Sequence, residues 1–247
     1  MSRLVWVGHA TALIEIGGAR LLTDPLLRSR LAHLRRHGPP PAAEVMRGVD
    51  AVLISHLHHD HLDLPSLRLL AEGTPLVVPR GAAAMLRRRG FADVRELTAG
   101  GSTEVAGVEV LAVDAVHDRH RHRYGLQADT LGYVAGGAAY FAGDTDLFDG
   151  MAELAGIELA LIPVWGWGPS LGHGHLDPEA AARAAALLRP RIAVPIHWGT
   201  FFPQLMHLWK PDRLTGPPQE FAAAVAELAP EVEVRVLPPG GSTRFGG

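Results

Sequence analysis

The feature that most constrains this chain is a run of histidines and an aspartate placed directly after a short apolar segment. The apolar segment spans residues 51–54 and reads as a buried strand, and the polar run that follows spans residues 55–61, with the sequence SHLHHDH. Alternate side chains of an extended segment share a face, so His56 and His58 can point the same way. The pattern is HxHxDH, and its four members are His56, His58, Asp60 and His61.

The second half of this motif points elsewhere. If the chain turns near Asp60, then Asp60 and His61 swing toward a second point close to the first. His59 falls on the opposite face of the extended segment, so we leave it out of the ligand set. Three imidazoles and a carboxylate within six positions are hard to explain as packing. The spacing therefore predicts two groups of ligands that face two adjacent metal ions.

Composition narrows the class of protein. The chain has 247 residues, which suits one sizeable domain, and we predict a single domain over residues 1–247. It has no cysteine, so any metal must be held by His, Asp or Glu, and a reducing compartment such as the cytoplasm is expected. The formal net charge of −3 gives no support to a nucleic-acid partner. No apolar run reaches the roughly 18 residues typical of a transmembrane helix, so a membrane partner is not expected.

Apolar runs and glycine pairs predict the layout of the chain. Two hairpins are predicted, each across a Gly-Gly turn, at Gly17-Gly18 and Gly136-Gly137. Helices are predicted over 62–72, 82–89, 178–188 and 221–228, with Asp177 as the N-cap of the third. Residues 26–44 read as a surface excursion that could cover a site. Two strand-rich halves, each followed by helices, predict two packed sheets with helices outside.

Further metal-binding side chains lie at or just beyond the ends of predicted strands. They are His117, Asp144 and His197. Strand ends gather at one edge of a sheet, so these residues can meet the HxHxDH cluster. Asp144 can bridge two cations because a carboxylate has two oxygens. A two-metal site activates water, polarises the substrate and stabilises the leaving oxygen, and the pKa of a bound water falls to about 7.

This order of residues resembles that of the metallo-β-lactamase-fold hydrolases. The resemblance extends from Asp24 to His197. Four shorter motifs resemble the branch that includes the ascorbate-phosphate lactonases and the N-acyl phosphatidylethanolamine phospholipase D enzymes. They are Gly8-His9-Ala10-Thr11, Thr23-Asp24-Pro25, His175-Leu176-Asp177-Pro178-Glu179-Ala180 and His197-Trp198-Gly199-Thr200.

The resemblance implies a fold and a ligand set. The fold would be an α/β (α+β) four-layer αββα sandwich of the metallo-β-lactamase type. His56, His58 and His117 would hold one metal, and Asp60, His61 and His197 the other, with Asp144 between them. We predict two divalent ions, with zinc favoured and Mn²⁺ or Fe²⁺ as alternatives, since ligation by nitrogen and oxygen alone does not choose among them. His58 stands where flavo-diiron oxygen reductases would carry a Glu, which favours hydrolysis over redox chemistry.

Several nearby residues have less certain roles, and some of them have more than one interpretation. Asp24 is expected to orient a ligand, and His9 is either a residue of that kind or part of a structural turn. His120 and His122 compete with His117, but we expect them in a surface loop. His175 precedes a helix N-terminus, where it binds substrate, donates a proton to the leaving group or caps the helix. We predict Asp60 and His175 as the catalytic residues. Five aromatic residues either line an apolar pocket or are ordinary packing residues: Trp165, Trp167, Phe201, Phe202 and Trp209.

The sequence thus predicts a cytoplasmic, dinuclear metal-dependent hydrolase. Metal-bound hydroxide would attack a carbonyl carbon or phosphorus in a small-molecule ester, lactone, amide or phosphodiester. Two alternatives stay open, with the oligomeric state unspecified. One is a non-catalytic metal-binding or regulatory module on the same fold. The other is a phospholipid phosphodiesterase at a membrane surface, which the aromatic stretch 201–209 suggests.

Overall fold

The computed structural model describes residues 1–121, 125–166, 171, 173–203 and 212–246. Its strands are β1 (Ser2–Gly8), β2 (Thr11–Ile16), β3 (Ala19–Thr23), β4 (Arg30–Leu31), β5 (Leu34–Arg36), β6 (Ala51–Leu53), β7 (Leu76–Pro79), β8 (Val94–Leu97), β9 (Ser102–Val105), β10 (Val108–Asp114), β11 (Leu131–Ala135), β12 (Ala139–Phe141), β13 (Leu159–Pro163), β14 (Ile192–Ile196), β15 (Phe201–Pro203), β16 (Glu233–Val234) and β17 (Ser242–Phe245). The helices are α1 (Ala43–Met46), α2 (Leu64–Leu67), α3 (Ala83–Arg88), α4 (Pro178–Leu188) and α5 (Asp212–Leu228), with a 3₁₀ helix at Asp149–Leu154.

Two seven-stranded mixed sheets carry the fold. The first has the order β17-β1-β2-β3-β6-β7-β8, and the second has the order β16-β14-β13-β12-β11-β10-β9. Both predicted Gly-Gly hairpins are present, as β2–β3 and β11–β12. A third, three-stranded sheet has the order β15-β5-β4, so part of the 26–44 excursion is a hairpin paired to the strand that follows His197.

Strand alternation sorts the core into layers. In β1, Leu4 and Trp6 enter the large cluster shared with the second sheet, whereas Val5 and Val7 enter a separate cluster with α2 and α3. Helices α4 and α5 pack on the other side of the large cluster. The layers therefore run helix, sheet, sheet, helix, which confirms the predicted αββα arrangement.

Helix boundaries follow local capping chemistry. The Asp177 side chain accepts a hydrogen bond from the backbone N–H of Ala180, and Pro178 occupies the first turn, so the predicted start of α4 is confirmed. The helix predicted over 62–72 is wrong in extent, because α2 covers only Leu64–Leu67. There the Asp63 side chain caps the helix by accepting from the backbone N–H of Ser66, so the chain before Leu64 lies outside it. Helix α5 begins earlier than the predicted 221–228.

The strands that precede the predicted metal-site residues all run in one direction within their sheets. In the first sheet β1, β3 and β6 are mutually parallel, because the antiparallel β2 separates β1 from β3. In the second, β10, β12, β13 and β14 are parallel for the same reason. The carboxyl ends of these strands therefore open at the same edge of each sheet, where the loops that follow them can meet.

Candidate metal centre

Three imidazoles, two from the HxHxDH motif and one from the loop after β10, converge with their ring nitrogens. His56 Nε2 lies 2.9 Å from His58 Nδ1, and His117 Nε2 lies 3.0 Å from the same atom. We call His56, His58 and His117 the imidazole triad. His56 and His58 come from the sequence motif. His117, which lies 59 residues after His58 in sequence, joins them at the common edge of the sheets.

Hydrogen bonds on the far side of the rings indicate which nitrogens carry protons. The Ser55 hydroxyl donates to Asp24 Oδ2 at 2.5 Å, so at 2.9 Å it accepts from His56 Nδ1–H. His117 Nδ1–H donates to the carbonyl oxygen of Gly174 at 2.6 Å. These acceptors fix the Nδ1–H tautomer and leave both Nε2 lone pairs directed at the common point, as metal-binding histidines require.

The remaining predicted ligands form a second group beside the triad, which we call the carboxylate-rich set: Asp60, His61, Asp144 and His197. His61 Nε2 lies 3.2 Å from both Asp60 Oδ2 and Asp144 Oδ2. His197 Nε2 lies 3.3 Å from Asp144 Oδ2 and 3.7 Å from Asp60 Oδ2. The ligand atoms of Asp60, His61 and His197 lie within 4.8 Å of one another, together with that of His9, and Asp144 adjoins this group through the two histidines.

Asp24 links the two groups from beneath. Its Oδ2 accepts a hydrogen bond from His61 Nδ1–H at 2.7 Å, and it also receives the Ser55 hydroxyl that supports His56. Its other oxygen accepts the backbone N–H of Ser55 at 2.8 Å. The structure thus places Asp24 where the sequence suggested, behind the ligands and in contact with one of them.

The two groups differ in charge. Burial lowers the pKa of His56 well below its usual value and lowers the pKa of His117 to about 4, so these rings are neutral. Burial would also lower the pKa of His197, but the neighbouring Asp144 carboxylate outweighs it and raises that pKa to about 9. The pKa of His61 is likewise well above its usual value, because the Asp144 and Asp60 carboxylates outweigh its burial.

The residues present fit divalent cations. The triad offers three neutral imidazole nitrogens. The carboxylate-rich set offers two carboxylates whose charge is balanced by protonated histidines, and a bound cation would take the place of those protons. Asp144 Oδ1 is buried and makes no hydrogen bond within the described part of the chain. Its ligand atom also lies within 4.8 Å of those of His117 and His175, so this carboxylate stands between the two groups.

His175 lies at the rim of the centre. Its Nε2 is 3.7 Å from Asp144 Oδ2, and its ring packs edge-on against His117 with centroids 4.7 Å apart. It lines a cavity of about 170 Å³ together with Leu171 and Gly166. His175 therefore faces the space where a substrate would approach. Helix capping in this loop falls to Asp177 instead.

Other histidines lie outside the cluster or outside the described residues. His120 is partly exposed and pairs with Asp118, 2.9 Å from its carboxylate. His122 belongs to the undescribed residues 122–124. The exposed His59 contacts Arg121 rather than the metal centre, as expected from its position on the opposite face of the motif.

Of the five aromatic residues named in the sequence analysis, the three that the structure describes pack in the interior, which is the second of their two interpretations. Trp165 and Phe202 are buried and stack on each other at 5.6 Å, and Phe201 packs with Leu26 and Leu34. These three side chains are packing residues, and none of them lines the cavity at the metal centre. Trp167 and Trp209 lie outside the described residues.

Three supporting groups were missed in the sequence. Ser55 directly precedes the motif, so its position beside His56 was a sequence signal that could have revealed its role. No sequence signal marked the Gly174 carbonyl that accepts the hydrogen bond from His117. Arg121 is a third: its guanidinium donates to the carbonyl oxygens of Leu57 at 2.8 Å and Leu62 at 3.2 Å. It therefore joins both ends of the motif loop to the loop that carries His117.

Comparison with known proteins agrees with this geometry. The Beta-lactamase superfamily domain model matches residues 19–198. A UPF0173 metal-dependent hydrolase of Methanopyrus kandleri is 35% identical over 251 residues, covering 97% of this chain and 98% of that protein. The chain belongs to this family of metallo-β-lactamase-superfamily hydrolases. It is thus a metal-dependent hydrolase, and the predicted family is confirmed.

Two further proteins are similar to this chain, one in structure and one in sequence. The structure of Igni18, a metallo hydrolase from Ignicoccus hospitalis, superposes with a TM-score of 0.73 at 26% identity and 99% coverage of both chains. An N-acyl-phosphatidylethanolamine-hydrolyzing phospholipase D of Caenorhabditis elegans is 30% identical over 79% of this chain and 63% of its own length. The similarity to the phospholipase agrees with the branch suggested by the sequence motifs.

Proposed function

We propose that this hydrolase is dinuclear and acts on an ester, lactone, amide or phosphodiester bond of a small molecule. The imidazole triad would hold one ion and the carboxylate-rich set the other, with Asp144 shared between them. Zinc is the proposed metal, because tetrahedral sites built from histidine and carboxylate suit it. The net charge of −3 disfavours nucleic acid as the substrate, and we propose a cytoplasmic location from the absence of cysteine.

The position of Asp144 is the observation that carries this proposal. Its carboxylate lies 3.2 Å from His61 of the carboxylate-rich set, and its ligand atom is within 4.8 Å of that of His117 in the triad. A single buried carboxylate in reach of both groups is what a shared ligand requires. When bound, two divalent ions would acidify a water molecule and polarise the bond to be cleaved.

His175 supplies the proton-transfer step in this proposal. Its Nε2 faces Asp144, and its side chain is 28% exposed, so the ring reaches both the metal centre and the approaching substrate. In that position it donates a proton to the leaving oxygen or nitrogen as the bond breaks. Asp60, which contacts His61, acts as a ligand that fixes the geometry of the reacting centre.

The cavity favours a compact reacting group. Its volume of about 170 Å³ is below the roughly 300–1,000 Å³ typical of sites that enclose drug-sized ligands. Leu171 and Gly166 are its apolar lining residues. The others belong to the candidate metal centre or its rim, so the cavity lies directly over that centre: His58, Asp60, Asp144, His175 and His197. The described part of the site therefore suits a small molecule, or the small hydrolysable end of a larger one.

The test combines metal content with a substrate panel. Purified protein is loaded with Zn²⁺, Mn²⁺ or Fe²⁺, and bound metal is counted by plasma mass spectrometry. Each form is then assayed on bis(p-nitrophenyl) phosphate beside aryl esters, an amide and a series of lactones. Two ions per chain and turnover on one bond class support the proposal. One ion per chain, or equal activity with and without chelator, would overturn it.

A phospholipid phosphodiesterase is the second candidate, supported by the similarity to the Caenorhabditis elegans phospholipase. No described helix is long and apolar enough to cross a bilayer. Co-sedimentation with vesicles of phosphatidylethanolamine and phosphatidylcholine tests this candidate, and a failure to bind or hydrolyse them removes it. The hydrolase relatives, which match almost the whole chain, argue against the non-catalytic alternative.

A further inference from the structure

His9 sits in a turn that precedes the segment matched by the family model, which begins at residue 19. Its backbone has a φ of 57°, a left-handed conformation that is uncommon for residues other than glycine. Three hydrogen bonds hold it there. Its N–H donates to Thr200 Oγ1 at 3.0 Å, and its carbonyl accepts from Trp6 Nε1 at 2.9 Å and from the N–H of His197 at 3.0 Å.

The turn is pressed against the loop that carries His197. A side-chain carbon added to Gly8 would lie 2.6 Å from Thr200 Oγ1, closer than real contacts allow. Only glycine therefore permits this approach, and His9 is locked between β1 and the loop after β14. Backbone strain held this tightly, beside a functional site, points to a role for the residue that bears it.

The His9 ring points into the carboxylate-rich set. Its side chain is buried, its Nε2 lies 3.1 Å from Asp60 Oδ2, and its ring centroid lies 4.1 Å from that of His197. The distance to Asp60 is that of an ordinary hydrogen bond. A ligating carboxylate is commonly held by such a bond, and its loss typically costs 10–100-fold in metal affinity.

We propose that His9 is a positioning residue for the carboxylate-rich set. Its ring N–H orients the Asp60 carboxylate, while its carbonyl fixes the backbone of His197, so one residue sets two donors from opposite sheets. The inference rests on the proposed ligand set. A ring nitrogen of His9 also lies within 4.8 Å of the ligand atoms of Asp60, His61 and His197. Because these three residues and the shared Asp144 already provide four donors for one ion, we assign His9 to positioning Asp60 rather than to ligation.

Three substitutions in the full-length protein separate these roles. His9→Asn keeps a residue that tolerates the left-handed backbone but is too short to reach Asp60. His9→Phe keeps a ring without the N–H. His9→Gln keeps a side-chain N–H of similar reach and serves as the rescue variant. Each is titrated with Co²⁺ against a competing chelator, its visible spectrum is recorded, and its thermal unfolding is measured.

We expect His9→Asn and His9→Phe to lower the affinity for one of the two ions by 10–100-fold and to leave the affinity for the other within about twofold of wild type. Both affinities of His9→Gln should be close to wild type. Unchanged affinities, equal loss of both ions, or failure of His9→Gln to rescue would overturn the inference. X-ray absorption counts imidazoles: five across two ions agree with positioning, and six would make His9 a ligand. If wild type binds fewer than two ions, the dinuclear proposal fails instead.

Discussion

The imidazole triad and the carboxylate-rich set sit side by side but are built on different physical principles. The triad consists of rings kept neutral by burial, with His56 and His117 held by a hydroxyl and a backbone carbonyl. The carboxylate-rich set instead balances the buried carboxylate of Asp144 and the mostly buried one of Asp60 against protonated His61 and His197. The first group is prepared for a cation by its lone pairs, and the second by its charge.

This difference assigns distinct tasks to the two groups. Neutral imidazoles leave no unbalanced charge behind when no cation is bound, so the triad keeps its shape through its own hydrogen bonds. The carboxylates of the second set need a positive partner at all times, because an unpaired buried charge is costly. Protons fill that place when no cation is bound. Asp144 joins the groups, and the predictions below begin with it.

Asp144→Ala is expected to have the largest effect. Its carboxylate is within reach of both groups, so its removal should lower the affinity for both ions and reduce turnover by about 10³-fold or more, equivalent to roughly 4 kcal/mol of transition-state stabilisation. Metal content and kcat/KM measure the outcome. Asp144→Asn is the matched control for shape, and it should lose almost as much because the amide carries no charge. Full activity in either variant would remove the shared-ligand model.

The pH dependence of metal binding should separate the groups next. At pH 7.5 the triad is already unprotonated, since the pKa of His117 is about 4, so its ion binds without releasing protons from these rings. The pKa of His197 is about 9 and that of His61 is also raised, so an ion entering the carboxylate-rich set must displace protons.

The affinity of the carboxylate-rich set should therefore rise by about tenfold per pH unit for each proton displaced, and the part of this rise that comes from His197 should end above about pH 9. The affinity of the triad should stay flat from about pH 6 upward. Calorimetric titrations in two buffers of different ionisation enthalpy count the released protons directly. Equal proton release at both steps would contradict the charge difference between the groups.

Substitutions beneath the ligands should give intermediate, selective effects. Asp24→Asn weakens the acceptor for His61 Nδ1–H, so it should lower the affinity of the carboxylate-rich set by 10–100-fold. Ser55→Ala removes the acceptor for His56 Nδ1–H and should lower the affinity of the triad instead, with a stability cost of about 1–3 kcal/mol from the hydrogen bond lost to Asp24. Competitive chelator titrations report both affinities, and a reversed order of loss would reverse the assignment of the two groups.

The features that depend on residues close together in sequence could be predicted from the sequence. The apolar run 51–54 and the HxHxDH motif predicted a strand with donors beyond it, and Gly-Gly turns predicted two hairpins, because these signals involve neighbouring residues. Strand ends predicted that His117, Asp144 and His197 could join the cluster. The structure brings them together, and their role as ligands stays a prediction.

Features that depend on distant partners could not be predicted. The edge strand β17 has one buried residue, Phe245, and exists because its backbone pairs with β1, so no apolar pattern marks it. The Gly174 carbonyl reaches His117 only after two loops fold together. The sequence left Trp165 and Phe202 open between pocket lining and packing, and only their mutual stacking in the core decides between the two.

The smallest expected effect comes from His120, which lies three positions after His117 in sequence. His120→Ala should change metal affinity by less than about twofold and stability by less than about 0.5 kcal/mol, because His120 is partly exposed and its partner Asp118 is an exposed surface residue. His117→Ala is the matched comparison: a substitution of the same kind three positions away should remove the triad's ion while the carboxylate-rich set still binds. Metal counts and thermal unfolding of both variants measure this contrast. If the two substitutions were equivalent, the tautomer fixed by Gly174 would have no bearing on metal binding, and the triad would have to be rebuilt with a different third histidine.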